Sequence, residues 1–407
     1  MVSTPASHRI DVVDDADEFT LFVDGIQLSS CYGRAKEAAL QAALIPSESE
    51  AAWVYGVGTG GLITLLLARR PLRQLSVVIF NIPVFRASLR YFDHRQWLMD
   101  ERVELRFADS CEDVLTPFAA VPACLALAQS WASRLKELVV LELNTPYINR
   151  QFQSNPGFIA QLEKNRERIP RDGDVRELFG RDAGKTVCVV GAGPTLADHF
   201  ERLADEQRKG NAIVAVDAAL TPLLREHIVP DVVVTIDGQR DGVLPYFAVD
   251  LSRCQAALLV YFPVVHPDVL DRWPGRRLTA YSASPLFESV ATCCPKGLLF
   301  SSGSVIHPAV DLAVQMGAAR IQLFGADFAY PGGRSHVAGA AFAREIVDQQ
   351  APGQVWLVNG EGRQVRSVKN LCGYLRDLER YIARHGDLSF INMSKQGARI
   401  AGAGYLE

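Results

Sequence analysis

The sequence predicts an α/β protein made of two Rossmann-like parallel-sheet domains joined by a helical connector. Three observations carry this expectation. Short apolar runs, mostly β-branched, alternate with helix-patterned segments, as they do when strands are buried on both faces. Two of these runs break abruptly into glycine turns that lead into a helix, GVGTGG at Gly56–Gly61 and GAGP at Gly191–Pro194. At 407 residues the chain is also too long for one ordinary core. A polar, proline-dotted stretch sets the bounds: a nucleotide-fold domain over residues 1–150, a helical connector over 151–184, and a second Rossmann-like domain over 185–407.

In the first domain, Ile10–Val13 and Thr20–Val23 read as a strand pair, and Asp24-Gly25 is a hairpin-type turn signal. Arg34–Leu44 is an alanine-rich helix. A strand from Ala52 runs into the glycine turn, Leu62–Arg70 continues as a helix, and Leu75–Phe80 is the next strand. This order resembles the opening βαβ of an S-adenosylmethionine-dependent methyltransferase. Such an enzyme needs an acid after its second strand to hold the ribose hydroxyls. Asn81 stands there instead, while Phe107-Ala108-Asp109 imitates the later acidic turn. The expectation is a degenerate, methyltransferase-like fold that has lost its ligand. Val139–Leu143 (VVLEL) is expected to close its sheet.

The connector contains a charge-rich amphipathic helix, Phe158–Arg168, and a glycine-dotted run, Pro170–Gly184. From Lys185 the alternation becomes regular. Val187–Val190 enters the Gly191–Pro194 turn, and Thr195 is placed to cap the following helix. Strands are expected at Ala212–Val216, Val232–Ile236, Ala257–Tyr261, Leu298–Phe300, Arg320–Phe324 and Val355–Val358. Helices are expected at Pro222–His227, Val305–Met316 and Asn370–Ala383, with Gly317 stopping the second.

Composition excludes several classes. Hydrophobic residues at 48% and charged residues at 22% are those of a globular chain, and a net charge of −4 gives no support to nucleic-acid binding. The eight cysteines lack C-x-x-C pairs, and no His/Cys cluster has zinc spacing, so reduced thiols and no metal site are expected. No signal-peptide run is present, and no stretch reaches the ~18 apolar residues of a membrane span. A cytoplasmic protein is the expectation.

Ligands of open α/β sheets bind beyond the carboxyl ends of the strands. Those ends carry Gly191, Gly193, Pro194 and Thr195, then Asp217, Asp237, the loop Ser302-Gly303-Ser304, and Asp327. The glycine turn and the serine loop each precede a helix. Each offers N–H groups, and the second adds hydroxyls, a set suited to the phosphate and ribose of a nucleotide. A single Asp can equally be a cap or turn residue, the better reading for Asp217; Asp237 and Asp327 lean towards function. Leu196 stands where G-x-G-x-x-G needs its last glycine, and neither a P-loop nor a G-x-S-x-G elbow is present. His336 lies in a loop beyond the Asp327 strand end, where it is either a general base or a solvent-facing histidine. His307, beside Pro308, reads as structural or as a nucleotide contact.

Taken together, VVGAGPTL (Val189–Leu196), AVDAAL (Ala215–Leu220), PDVVVTIDGQ (Pro230–Gln239), the run Ser301–Tyr330, GGRSH (Gly332–His336) and NMSKQGARIAG (Asn392–Gly402) resemble the motility accessory factor family. The resemblance covers roughly residues 185–405. The central domain is also similar to archaeal hydroxymethylpterin diphosphokinases and to bacterial sialyltransferases. The resemblance implies inverting, metal-independent transfer of a nonulosonic, sialic-acid-like sugar from a CMP-activated donor to a Ser/Thr hydroxyl of flagellin, with no tightly bound cofactor. It makes Gly191, Gly193, Pro194, Thr195, Ser302, Gly303 and Ser304 donor contacts. Asp327 becomes a residue shaping the catalytic pocket and His336 the base. Longer members continue into a helical domain held to engage flagellin, whereas this sequence stops at Glu407, so another protein or a glycan stays open as acceptor. An oligomer is compatible with all of this. Two alternatives stand beside it. One is a pterin diphosphokinase-like enzyme using ATP and Mg²⁺ held by Asp237 and Asp327. The other is a non-enzymatic accessory protein of flagellar assembly.

Overall fold

The structure is a computed structural model that describes residues 8–15, 18–346 and 354–406. The chain divides into two compact units, Met1–Thr145 and Pro146–Glu407. The division falls inside one helix, Ser133–Gln153, which carries Pro146.

The first unit opens with an antiparallel meander of β1 (Ile10–Asp15), β2 (Glu18–Val23) and β3 (Ile26–Gln27), turning at Asp24-Gly25 as the sequence predicts. A four-stranded parallel sheet follows, built from β4 (Ala51–Tyr55), β5 (Gln74–Ile79), β6 (Val103–Phe107) and β7 (Phe118–Ala120) in the order β6-β5-β4-β7. The strand expected at Val139–Leu143 is instead part of the helix Ser133–Gln153, and β7 closes the sheet. Leu135, Leu138 and Val139 are buried while Val140 and Leu143 are exposed, so the apolar residues follow helical spacing despite the β-branched pair.

The second unit is organised on a nine-stranded sheet, parallel throughout. Its strands are β8 (Gly173–Asp174), β9 (Thr186–Val190), β10 (Ala212–Val216), β11 (Val232–Thr235), β12 (Leu258–Tyr261), β13 (Arg277–Thr279) and β14 (Arg320–Phe324). A two-stranded antiparallel ribbon, β15 (Gln354–Val358) with β16 (Gln364–Val368), precedes the last two sheet strands, β17 (Ser389–Asn392) and β18 (Gly404–Tyr405). The order is β18-β17-β14-β9-β10-β11-β12-β13-β8. The central strands β9, β10, β11, β12 and β14 are buried beyond their first residues, and β10 and β11 throughout, as expected of Val/Ile-rich strands covered on both faces. The region expected as a separate connector, 151–184, belongs to this unit. β8 pairs with β13 at the sheet edge, and Asn165 donates from its buried amide to the carbonyls of Pro263 (2.8 Å) and Val265 (2.7 Å). Leu298–Phe300 forms only a single bridge, Leu298 with Tyr281, because the chain leaves at once for the serine loop. Among the described residues no helix is long and apolar enough to cross a membrane.

Candidate functional site

The strand order reverses between β14 and β9, which makes the crevice at their carboxyl ends the place for a ligand. The two turns that leave these strands interlock there. Gly191 N–H donates to the Phe324 carbonyl (2.8 Å), and Gly193 N–H to the Gly325 carbonyl (2.9 Å). A Cβ at Gly191 would stand 2.6 Å from the Gly325 oxygen, and one at Gly193 would stand 2.4 Å from Asp327 Oδ2. The glycines therefore admit the neighbouring turn. Thr195, expected as a helix cap, donates its N–H to Asp327 Oδ2 (2.9 Å) and its hydroxyl to Asp327 Oδ1. A 3₁₀ stretch, Pro194–His199, precedes the helix Phe200–Arg208. The N–H groups of Gly191, Gly193 and Thr195 are thus spent inside the fold, and the anion cradle expected from them is not formed by these groups. Asp327 is 4% exposed, and burial pushes its carboxyl up to about 6 against the pull of the Thr195 bonds. It shapes the turn and offers little surface to a reacting atom.

His336 is fastened to the same turn. Val337 N–H donates to the Ala192 carbonyl (2.9 Å). The loop closes on itself through Ser335 N–H to the Arg344 carbonyl (3.0 Å) and Ile346 N–H to the Gly333 carbonyl (2.7 Å). Its Phe342 ring meets Tyr246 edge-on at 5.4 Å. His336 is half-buried, with Nδ1 3.1 Å from Ser335 Oγ. Burial first, and the Arg344 charge second, hold its pKa below the ordinary histidine value, so it carries a free lone pair at neutral pH.

The serine loop stands at the same edge. The helix Ile306–Gln315 leads back to the start of β14 and runs antiparallel to the strands, so its N-terminus and Ser302–Ser304 lie at the carboxyl ends. Gly303 has φ +81°, and a Cβ there would stand 2.9 Å from the Tyr374 ring. Ser302 Oγ donates to Asp377 Oδ2 (2.6 Å). Tyr374 and Asp377 lie on the helix Lys369–Ala383. The amphipathic helix was readable in the sequence, but nothing in its pattern tied it to a serine loop seventy residues earlier.

Asp217 and Asp237 end the next two strands. Asp217 is buried; its carboxylate accepts from Ala218 N–H (2.8 Å) and the Thr235 hydroxyl (2.8 Å), the turn role that its spacing allowed. Burial pushes it up to about 6, and the Asp237 charge adds to the shift. Asp237 is exposed and accepts from Gln239 N–H (2.8 Å). Burial chiefly raises the phenols of Tyr246 and Tyr374; the charges of Asp217 and Asp237 add to the shift at Tyr246, and those of Asp237 and Asp377 at Tyr374. Neighbours therefore run around the edge from the His336 loop through Phe342 and Tyr246 to the two acids, Tyr374 and Gly303. Tyr246, Tyr374 and Asp377 were not foreseen. Among the described residues no group of three or more His, Cys, Asp or Glu could hold a metal ion.

The glycine turn of the first unit is held by hydrogen bonds from its own chain, and small clefts lie against it, one lined by Arg34, Glu37 and Gln41 and the other by Asn81, Phe85 and Cys124. Gly58 N–H donates to Cys124 Sγ (3.3 Å), and Ser88 Oγ donates to the Gly58 carbonyl (2.6 Å). Trp97 Nε1–H donates to His94 Nδ1 (2.9 Å), so Nε2 carries the ring hydrogen and gives it to Ser88 Oγ (2.8 Å). A Cβ at Gly60 would stand 2.7 Å from the His94 ring. Asn81 caps the helix Ile82–Tyr91, accepting from Val84 N–H (3.0 Å).

Comparison with known proteins adds three findings. Residues 160–333 match the family model of 6-hydroxymethylpterin diphosphokinase MptE-like proteins. A 6-hydroxymethyl-7,8-dihydropterin pyrophosphokinase of Methanothermobacter thermautotrophicus is 30% identical over 148 residues, 34% of this chain and 56% of that protein. The chain thus spans about half the length of this curated relative. The solved structure of the MAf glycosyltransferase from Magnetospirillum magneticum AMB-1 superposes with a TM-score of 0.51 over 99% of this chain and 71% of that one, at 18% identity. This last likeness is one of fold.

Proposed function

We propose, for a chain whose comparisons fit the motility accessory factor family, that the second unit is a glycosyltransferase. It moves a nonulosonic sugar from a CMP-activated donor to a protein Ser/Thr hydroxyl, with flagellin as the favoured acceptor. The observation that supports this most is the bond from Val337 N–H to the Ala192 carbonyl. It brings a half-buried, neutral histidine to the turn at the switch point of the sheet. In this reading the acceptor hydroxyl gives its proton to a ring nitrogen of His336 as its oxygen attacks the anomeric carbon. The bond from that carbon to the phosphate oxygen breaks, and its electron pair leaves with CMP. Negative charge then grows on the phosphate. In this reading the N–H groups of the serine loop, the Ser304 hydroxyl and the N-terminal end of the helix Ile306–Gln315 offset it. Asp327 and Thr195 keep the turn under His336 in shape.

A second reading is favoured by one specific observation, the 30% identity to a pterin pyrophosphokinase. It requires ATP, a magnesium ion and release of AMP. Titration calorimetry with CMP and with Mg-ATP separates the two. The first reading predicts a one-site heat with CMP. Binding of Mg-ATP and hydroxymethylpterin in the absence of any CMP heat contradicts it.

A further inference from the structure

His307 is completely buried in the first turn of the helix behind the serine loop. Its Nε2 lies 2.9 Å from the Tyr374 carbonyl, so that nitrogen carries the ring hydrogen. The other nitrogen, Nδ1, has no hydrogen-bond partner although it is buried. The Ser302 backbone carbonyl also acts on this ring, favouring its charged form. A neutral imidazole has one hydrogen and here faces two carbonyls, so one side stays unmatched. A protonated ring would satisfy both, but burial holds the free ring neutral, with its pKa down at about 4. A phosphate bound at Ser302–Ser304 would bring negative charge within a turn of this ring and remove the reason for that neutrality.

We propose that His307 is a positioning residue: when a phosphate binds at the serine loop, Nδ1 takes up a proton from solvent and donates it to the Ser302 carbonyl, locking the loop. The inference rests on the reading of that loop as the donor's phosphate site. Only the Nδ1 lone pair and one solvent proton are involved, and no covalent bond to the ligand forms. The surroundings are compatible with a cation. The Phe300 ring lies 5.5 Å from the imidazole, tilted, and the Tyr374 ring 6.1 Å away at a near-right angle. Among the titratable and charged groups on the packed helix Lys369–Ala383, Tyr374 meets the ring, Asp377 holds Ser302, Arg380 lies 3.9 Å from Asp377, Arg376 pairs with Glu379 (2.8 Å), and Tyr381 bonds Asp311. On its own helix, Asp311 lies one turn further on, taken up by Phe300 N–H, Gln315 and the Tyr381 hydroxyl. Tyr374 is thereby linked to the serine loop through a single ring, which connects the helix Lys369–Ala383 to ligand binding.

The test is titration calorimetry with the methyl ester of CMP, a phosphodiester with one fixed charge that does not titrate itself. Heats are compared at about pH 6.5 in buffers of different ionisation enthalpy. The wild-type chain is expected to take up a measurable fraction of a proton on binding, and its affinity is expected to fall as pH rises. His307→Asn is expected to bind about tenfold more weakly, with no uptake and no such pH dependence. His336→Ala is expected to retain the uptake. Wild-type binding without proton uptake, or equal uptake in His307→Asn, overturns the role of His307. Absence of any binding, of the ester and of CMP alike, overturns the donor reading of the loop on which it rests. The wild-type measurement alone decides, whatever the variant's stability.

Discussion

The carboxylate of Asp327 accepts both the backbone N–H and the hydroxyl of Thr195, and so joins the turn after β14 to the turn after β9. Replacing Thr195 by Val keeps the shape and removes one donor from a buried carboxylate. The expected loss is about 1–3 kcal/mol, read from urea unfolding, with Thr195→Ser close to wild type. Equal stability of the valine variant would mean that the bond adds nothing.

Gly193 makes that approach sterically feasible. Gly193→Ala places a methyl 2.4 Å from Asp327 Oδ2 and 2.6 Å from the Gly325 oxygen, and a buried carboxylate held by Thr195 on one side with backbone on the other leaves little room to yield. A loss of about 3 kcal/mol or more is expected. Gly386→Ala, where nothing lies within 4 Å of the added carbon and φ is ordinary, is the matched control and should stay within about 0.5 kcal/mol.

Asp217 gives a pH signature. Burial raises its folded pKa to about 6, above the ordinary aspartate value of 3.8, so the folded state holds the proton more tightly than the unfolded chain does. This contribution to stability is present at acid pH and is lost as pH rises from about 4 to about 6, by roughly 2–3 kcal/mol. Asp217→Asn, which keeps an acceptor for Thr235, should flatten the decline by that amount in unfolding midpoints measured across this range. An unchanged slope would remove Asp217 as its source.

His336 gives a kinetic one. Its pKa lies below the ordinary 6.5 because of burial and Arg344, so transfer should be independent of pH near neutrality and fall on acidification below that value. His336→Ala should lose about 10²–10⁴ in rate and its acid limb, with stability within about 1 kcal/mol of wild type. An acid limb that persists in the variant would assign the base elsewhere.

For the first unit the expectation is silence. Cys124, Ser88, His94 and Trp97 occupy the surroundings of the glycine turn through their own hydrogen bonds. Equilibrium dialysis with S-adenosylmethionine should show no binding, and saturable binding would restore a methyltransferase reading.

Much of this architecture was legible in the sequence for a simple reason: strands buried on both faces are written as unbroken apolar runs. β9, β10, β11 and β14 stand where those runs stand. The two-residue strands β8 and β18 are too short to carry a pattern, and β17 is set by what it pairs with rather than by its own composition. Val139 misled because a β-branched pair reads as strand locally, while Leu135, Leu138 and Val139 answer to helical spacing. At the site, the strand-end rule located the glycine turn, the serine loop and Asp327. It did not foretell that the glycine N–H groups are consumed by the neighbouring turn, because that depends on which strand lies alongside β9. Tyr374, Asp377 and the unmatched face of His307 were hidden for the same reason: their roles arise only where a distant helix meets the serine loop.

The most direct measurement is the intact mass of unglycosylated flagellin after incubation with the full chain and CMP-sialic acid. The account predicts added mass in steps of one sugar, on serine or threonine, with matching release of CMP and near-complete loss of both with His336→Ala. Unchanged flagellin and no CMP release, together with magnesium-dependent AMP release from ATP and hydroxymethylpterin by the same preparation, would contradict it.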